Sequence, residues 1–233
     1  MPRSNLSAFP AVTLDRPASD DGARPSITGV VLAGGLSRRM GGGDKGLADL
    51  GGRSMLAHVV ARLGPQVGTL VLNANGDPAR FASLGLPVAA DTLPDFPGPL
   101  AGVLAGMRCA LRHTPGATHI VTVSADAPLI PHDLVARLAA ALAPPGATAI
   151  AVAQSDSGLH PVIAMWPVAL ADDLESALRD GLRQVRRWMD RHGAVPVTFP
   201  SVQRGSRVFD PFFNANTPED LALLRTAFAE DGA

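Results

Sequence analysis

The chain has 233 residues, of which 46% are hydrophobic and 18% charged, the balance of a globular rather than a disordered protein. Its formal net charge of −1 supplies no global basic field for nucleic acid or an anionic membrane, so any phosphate binding must come from local arginine and lysine. Cys109 is the single cysteine, which excludes an internal disulfide and a cysteine-based metal site and suits a reducing cytoplasm.

Residues 1–26 mix Arg, Asp, Pro, Ser and Gly without a long apolar core. They read as a flexible leader, neither a secretory signal nor a membrane span, and residues 27–233 read as one domain. From Ile27 to Ala33 a short apolar run rich in β-branched residues predicts a buried strand. It stops at Gly34-Gly35, where the missing Cβ atoms let backbone N–H groups approach a ligand. Arg38, Arg39, three further glycines and Lys45 come next. A strand running into a glycine-rich turn with cations beyond it suits a nucleoside triphosphate, whose oxygens need backbone donors and fixed positive charge.

Two common phosphate motifs do not describe this stretch. Gly41-x-Gly43-x-x-Gly46 matches the dinucleotide fingerprint in letters, but the strand ends several residues too early for it. A P-loop requires Gly-Lys-Ser/Thr, whereas Lys45 stands between Asp44 and Gly46.

Residues 47–53 suggest a short strand and turn. Ser54 then caps a helix whose apolar positions are Met55, Leu56, Val59, Val60 and Leu63. A second strand, Thr69 to Leu72, halts at Asn73-Ala-Asn75-Gly-Asp-Pro. The amide of Asn73 suits a base edge or ribose, or equally a turn. Leu86 to Ala90 predicts a third strand ending at Asp91, a carboxylate able to accept hydrogen bonds from a ligand or to act as an ordinary cap. A proline-rich loop leads into a helix through about Leu111 that includes Cys109, which reads as a small buried side chain.

His119 to Ser124 predicts a fourth strand that delivers Asp126, either a cap for the next helix or a ligand for a hard cation. Leu134, Leu138, Ala141 and Leu142 give that helix its apolar face, and Pro144-Pro145-Gly146 ends it. Strands are expected over 147–153 and from about His160 to Ala164, with His160 a ligand contact or a structural histidine. Val168–Leu178 and Gln184–Met189 read as helices separated by a basic segment containing Arg183. Val195–Phe199 and Val208–Phe213 read as strands. Thr217-Pro218-x-Asp220 then predicts a capping box for a last helix. The alternation implies a three-layer α/β/α fold with a mainly parallel, Rossmann-like sheet.

Leu32-Ala-Gly-Gly35, Arg38-Arg-Met-Gly-Gly and Asp44-Lys-Gly46 resemble the signature of nucleotidyltransferases, and in particular the molybdenum cofactor guanylyltransferase (MobA) family. Asp91 with Pro97-Gly-Pro-Leu-Ala-Gly102, and Asn214-x-Asn216-Thr-Pro-Glu219, are similar to further elements of that family. The resemblance covers residues 27 to about 227. It implies transfer of GMP from GTP to the phosphate of molybdenum-bearing molybdopterin, with release of pyrophosphate. By the same resemblance Leu32, Ala33, Gly34 and Gly35 hold the nucleotide by backbone contacts, and Arg39 and Lys45 stabilise the triphosphate. Asn73 and Asp91 meet the nucleoside, Asp126 binds Mg²⁺, and Arg183, Asn214 and Asn216 serve the pterin. Ala127 departs from the usual Asp-Thr-Pro. The rival readings are a cytidylyltransferase using CTP, against which Leu-Ala-Gly-Gly in place of Leu-Ala-Ala-Gly speaks, and a non-catalytic nucleotide- or cofactor-binding partner. Proteins of molybdoenzyme maturation are the expected macromolecular partners, with neither nucleic acid nor membrane involved.

Overall fold

The computed structural model describes residues 27–34, 45–93, 98–142 and 149–230. The expected leader, Gly35, Arg38 and Arg39 lie outside these residues. The apolar run at the start becomes strand β1 (Ile27–Leu32), and its alternate side chains go to opposite faces. Val31 joins one core with α1 (Met55–Leu63) and α3 (Leu134–Ala141), through Leu56, Val59, Leu63, Leu134 and Leu138. Val30 joins the other with α2 (Pro99–His113) and α4 (Ala171–Arg179), through Val103, Met107, Leu174 and Leu178. A sheet buried on both faces is what a near-continuous apolar strand requires, and it gives the three layers.

The remaining strands are β2 (Thr69–Asn73), β3 (Val88–Ala89), β4 (His119–Ser124), β5 (Ile150–Ser155), β6 (Gly158–Pro167) and β7 (Ala194–Thr198). Their order is β3-β2-β1-β4-β6-β5-β7. All neighbours are parallel except β6, which runs antiparallel to β4 and β5. The reason is the short turn at Asp156-Ser157, since so tight a link can only fold a strand back on its neighbour. Between β1 and β4 the strand order reverses direction, and such a switch point opens a crevice at the carboxyl ends of the strands. Ala89, Asn73, Leu32 and Ser124 form one register row across that edge.

Helix α2 lies close on β1. A Cβ at Gly106 would come 2.7 Å from Val30 Cγ2, so the glycine lets the helix approach the sheet. Ser54 caps α1 as expected, accepting from Ala57 N–H at 3.1 Å. A short α5 (Val185–Met189) packs Trp188 on Trp166, their rings 5.9 Å apart. Beyond the main sheet, β8 (Val202–Arg204) and β9 (Arg207–Phe209) form a two-stranded ribbon packed with the last helix, α6 (Pro218–Glu230).

Three expectations are corrected. Residues 47–53 form no strand: a 3₁₀ turn covers Lys45–Leu47, and only a single bridge joins Asp49 to Ser54. The strand expected over Leu86 to Ala90 shrinks to Val88–Ala89, an edge segment directly after Pro87, which has no N–H to pair. The strand expected through Phe213 stops at Phe209. Asp210 takes the next residues into a turn, accepting from Phe212 N–H at 2.7 Å through its side chain.

Candidate active site

Two hydrogen-bonded groups stand at the carboxyl edge, one on each side of β1. The first begins with β4, which ends at Ser124 and places Asp126 just beyond it. Lys45 Nζ donates to Asp126 Oδ2 and to Asn216 Oδ1, each at 2.7 Å. Ser124 Oγ donates to the other Asp126 oxygen, and Ala215 N–H reaches the Asp126 carbonyl at 3.4 Å. Three segments distant in sequence are thereby tied at one ammonium group. The Lys45 and Asp126 side chains are only 14% and 17% exposed, so their attraction is poorly screened.

Asp126 caps no helix. α3 starts at Leu134 after Asp133, and the Asp126 carboxylate goes to Lys45 and Ser124 instead. Ala127 is fully buried among apolar side chains, so the departure from threonine puts a methyl group in the core. The asparagine segment is fixed by the predicted capping box. Thr217 Oγ1 accepts from Asp220 N–H at 3.1 Å, while Asp220 Oδ2 accepts from the Thr217 and Asn216 N–H groups at 2.9 Å. Asn214 Oδ1 is buried without a hydrogen-bond partner among the described residues. A buried acceptor left unpaired is costly unless a ligand supplies the donor.

The second group is built on the loop after β2. Asn73 is buried, and its Nδ2 donates to Ala89 carbonyl at 3.1 Å and to Asp91 Oδ1 at 2.9 Å. Both amide protons are thus used inside the protein. The amide oxygen is the part of Asn73 that these bonds leave for a ligand. Gly102 on α2 makes room for it, since a Cβ there would meet Asn73 Oδ1 at 2.3 Å and Leu32 Cδ2 at 2.8 Å. Asn75 is not singled out by the sequence reading, yet it binds Asp91 twice: Nδ2 to Oδ2 at 2.7 Å, and Oδ1 from Asp91 N–H at 2.9 Å. The signal available is the Asn-x-Asn spacing at a strand end.

Between the two groups runs the end of β1. Ala33 N–H donates to Asn73 carbonyl at 2.8 Å, and Leu32 carbonyl accepts from Ala125 N–H at 3.0 Å. Those two backbone groups are committed to the sheet, whereas Gly34 stands where the strand stops. Arg183 is held at the end of α4, donating to the Leu178 and Leu182 carbonyls at 3.1 and 2.9 Å.

His160 takes the structural role. Its Nε2 lies 2.7 Å from Ser155 Oγ, which in turn donates to Asp210, and its ring packs on Phe212 at 4.7 Å. Burial lowers its pKa, with Asp210 acting in the opposite sense. Because the Ser155 proton goes to the carboxylate, this Ser/His/Asp group is a knot between hairpin and turn, not a nucleophile. Burial raises the pKa of Cys109, so that thiol stays protonated in the core.

The mainly parallel sheet thus carries a cation–carboxylate pair at its switch point and a carboxylate held at the neighbouring strand end, and the class of this protein, a nucleotidyltransferase, follows from its relatives. A domain described as MobA-like NTP transferase matches residues 29–195. The chain is 52% identical over 208 residues to a molybdenum cofactor guanylyltransferase of Bradyrhizobium sp. (strain ORS 278), covering 88% of this chain and 95% of that one. It is 54% identical over 199 residues to a molybdenum cofactor guanylyltransferase of Rhodopseudomonas palustris (strain BisB5), covering 85% of this chain and 92% of that one. The structure of molybdopterin-guanine dinucleotide biosynthesis protein A from Archaeoglobus fulgidus superposes with a TM-score of 0.64 at 25% identity, over 87% of this chain and 99% of that one. The chain belongs to the molybdenum cofactor guanylyltransferase family.

Proposed function

We propose that this enzyme transfers GMP from GTP to the phosphate of molybdopterin that already carries molybdenum. An oxygen of the pterin phosphate attacks the α-phosphorus, the bond to the β-phosphate oxygen breaks, and pyrophosphate leaves. The observation that carries the reading is the Lys45 ammonium joined at once to Asp126 and Asn216. It gathers at one point the three motifs that triphosphate binding, metal binding and the second substrate require. Phosphoryl transfer leaves little covalent work to the protein, so positioning and charge neutralisation dominate.

In this reading Lys45 and Arg39 neutralise the triphosphate, and the backbone of Leu32, Ala33, Gly34 and Gly35 cradles the nucleotide. Asp91, steadied by Asn73, accepts from guanine N1–H and N2–H₂. Asn214 offers its unpaired acceptor to an N–H of the pterin, with Asn216 beside it and Arg183 on the same substrate.

Among the described residues no cluster of three or more His, Cys, Asp or Glu side chains can hold a metal alone. The hard oxygens of Asp126 and Asn216 do suit a cation shared with phosphate oxygens and water, which is how Mg²⁺ is usually held. Bound there, Mg²⁺ would add electrophilic polarisation of the phosphate oxygens. No described helix is long and apolar enough to cross a membrane. The reading places the enzyme in the cytoplasm, handing its product to proteins of molybdoenzyme maturation.

The test is incubation with molybdopterin, magnesium and either GTP or CTP, scored for pyrophosphate and for the dinucleotide. Product from GTP supports the reading. Equal product from both nucleotides would overturn the choice of GTP, product from CTP in its place would make the protein a cytidylyltransferase, and nucleotide binding without pyrophosphate a non-catalytic partner.

A further inference from the structure

The Asp91 carboxylate is gripped by two amides. Asn73 Nδ2 donates to Oδ1 at 2.9 Å and Asn75 Nδ2 to Oδ2 at 2.7 Å. Asn75 also accepts from Asp91 N–H at 2.9 Å, so one side chain fixes both the backbone and the carboxylate of residue 91. A carboxylate offers about four lone-pair sites, and one on each oxygen is taken here. One per oxygen remains, which matches the adjacent N1–H and N2–H₂ donors of guanine. Left alone, the terminal torsion of an aspartate is broad and would not present both oxygens together.

We infer that Asn75 is a positioning residue for base selection, acting through Asp91. The inference rests on the proposed role of Asp91 as the guanine acceptor. Asn73 shares the grip, but it also binds Ala89 carbonyl and is buried, so its loss would disturb the sheet edge. Asn75 is exposed on the loop, and its side-chain bonds go to residue 91. Its contribution can therefore be removed without opening the core.

The test compares GTP with inosine triphosphate, which keeps N1–H but lacks the 2-amino group, using one pterin acceptor. The enzymes are the parent, Asn75→Ala, Asn75→Asp and Asp91→Asn. The parent is expected to favour GTP in kcat/KM by about tenfold, the usual worth of one buried hydrogen bond. In Asn75→Ala the KM for GTP rises roughly tenfold while kcat holds, and the preference over inosine triphosphate falls to about twofold or less. Asn75→Asp sets a second carboxylate against Asp91 and loses at least as much, which keeps the test open should the alanine variant prove unstable. If a folded Asn75 variant keeps the parent's preference while Asp91→Asn loses it, positioning by Asn75 is overturned and base reading by Asp91 stands. If Asp91→Asn keeps the preference, or the parent has none, base reading fails and the role of Asn75 fails with it. A proportional fall in kcat with both nucleotides, the preference intact, marks a merely structural asparagine and also overturns the inference.

Discussion

Lys45 Nζ lies 2.7 Å from Asp126 Oδ2 although the two residues are 81 positions apart in sequence. The pair ties the 3₁₀ turn that starts at Lys45 to the residues just after β4, at the switch point of the sheet. Each side chain keeps the other from being an uncompensated, largely buried charge, and breaking such a pair is usually costly. Replacing Lys45 by Met should therefore act twice, removing the cation for the triphosphate and leaving Asp126 unpaired. We expect a turnover loss of at least ~10²-fold with some loss of stability. Thermal unfolding and transfer assayed on one preparation check it, and near-parental turnover would refute the role of Lys45.

Asp126→Asn keeps the size of the side chain and removes its charge. The Ser124 contact can persist, so the variant should fold and yet lose ~10²-fold or more in turnover. Excess Mg²⁺ should rescue it only in part. Were Asp126 only a structural partner of Lys45, Asp126→Ala would lose stability through the unpaired ammonium and keep its turnover.

Gly102→Ala separates helix propensity from packing. In an ordinary helix the change would stabilise by roughly 1 kcal/mol. Here the new Cβ would fall 2.3 Å from Asn73 Oδ1, so overpacking at about 1–3 kcal/mol should win. Because Asn73 holds Asp91, KM for GTP should rise as well. The double variant Gly102→Ala/Asn73→Ala should recover stability relative to Gly102→Ala, as a double-mutant cycle of urea midpoints would show.

Acid should weaken the fold through histidine before it reaches the carboxylates. Burial holds the pKa of His160 below its ordinary 6.5, and does the same for His58 and His119. The unfolded chain thus binds these protons first. The stability involved is complete above 6.5 and is lost as pH falls from there toward the lowered folded values. Burial tends to raise Asp210, but hydrogen bonds from Ser155, Ser157 and Phe212 N–H outweigh it and hold it below 3.8, so its contribution is lost only in that lower range. The urea midpoint should drop between about pH 7 and pH 5, less so in His160→Gln. A midpoint that rises with acid would contradict this.

The elements legible in sequence are those whose signal is local. β1, β4, α1 and the Thr217–Asp220 box arise from apolar period and capping chemistry, and the structure keeps them within a residue or two. The features that do not show in sequence are decided by distant partners. Residues 210–213 look strand-like until the Asp210 side chain turns the chain. Lys45, Asp126 and Asn216 are each legible as motif residues, but their meeting at one ammonium needs the tertiary fold. Asn75 escapes notice because an asparagine before Gly-Asp-Pro looks like turn chemistry, and its grip on Asp91 spans 16 positions.

The central claim is that the residues joined at Lys45 serve GMP transfer. The most direct measurement traces label from the α-phosphate of GTP into the pterin, with the parent enzyme and Asp126→Asn side by side. The account predicts label in the dinucleotide with stoichiometric unlabelled pyrophosphate for the parent, and at least ~10²-fold slower transfer for the folded variant. Label that stays in GTP with the parent, or moves equally fast in both enzymes, would contradict it.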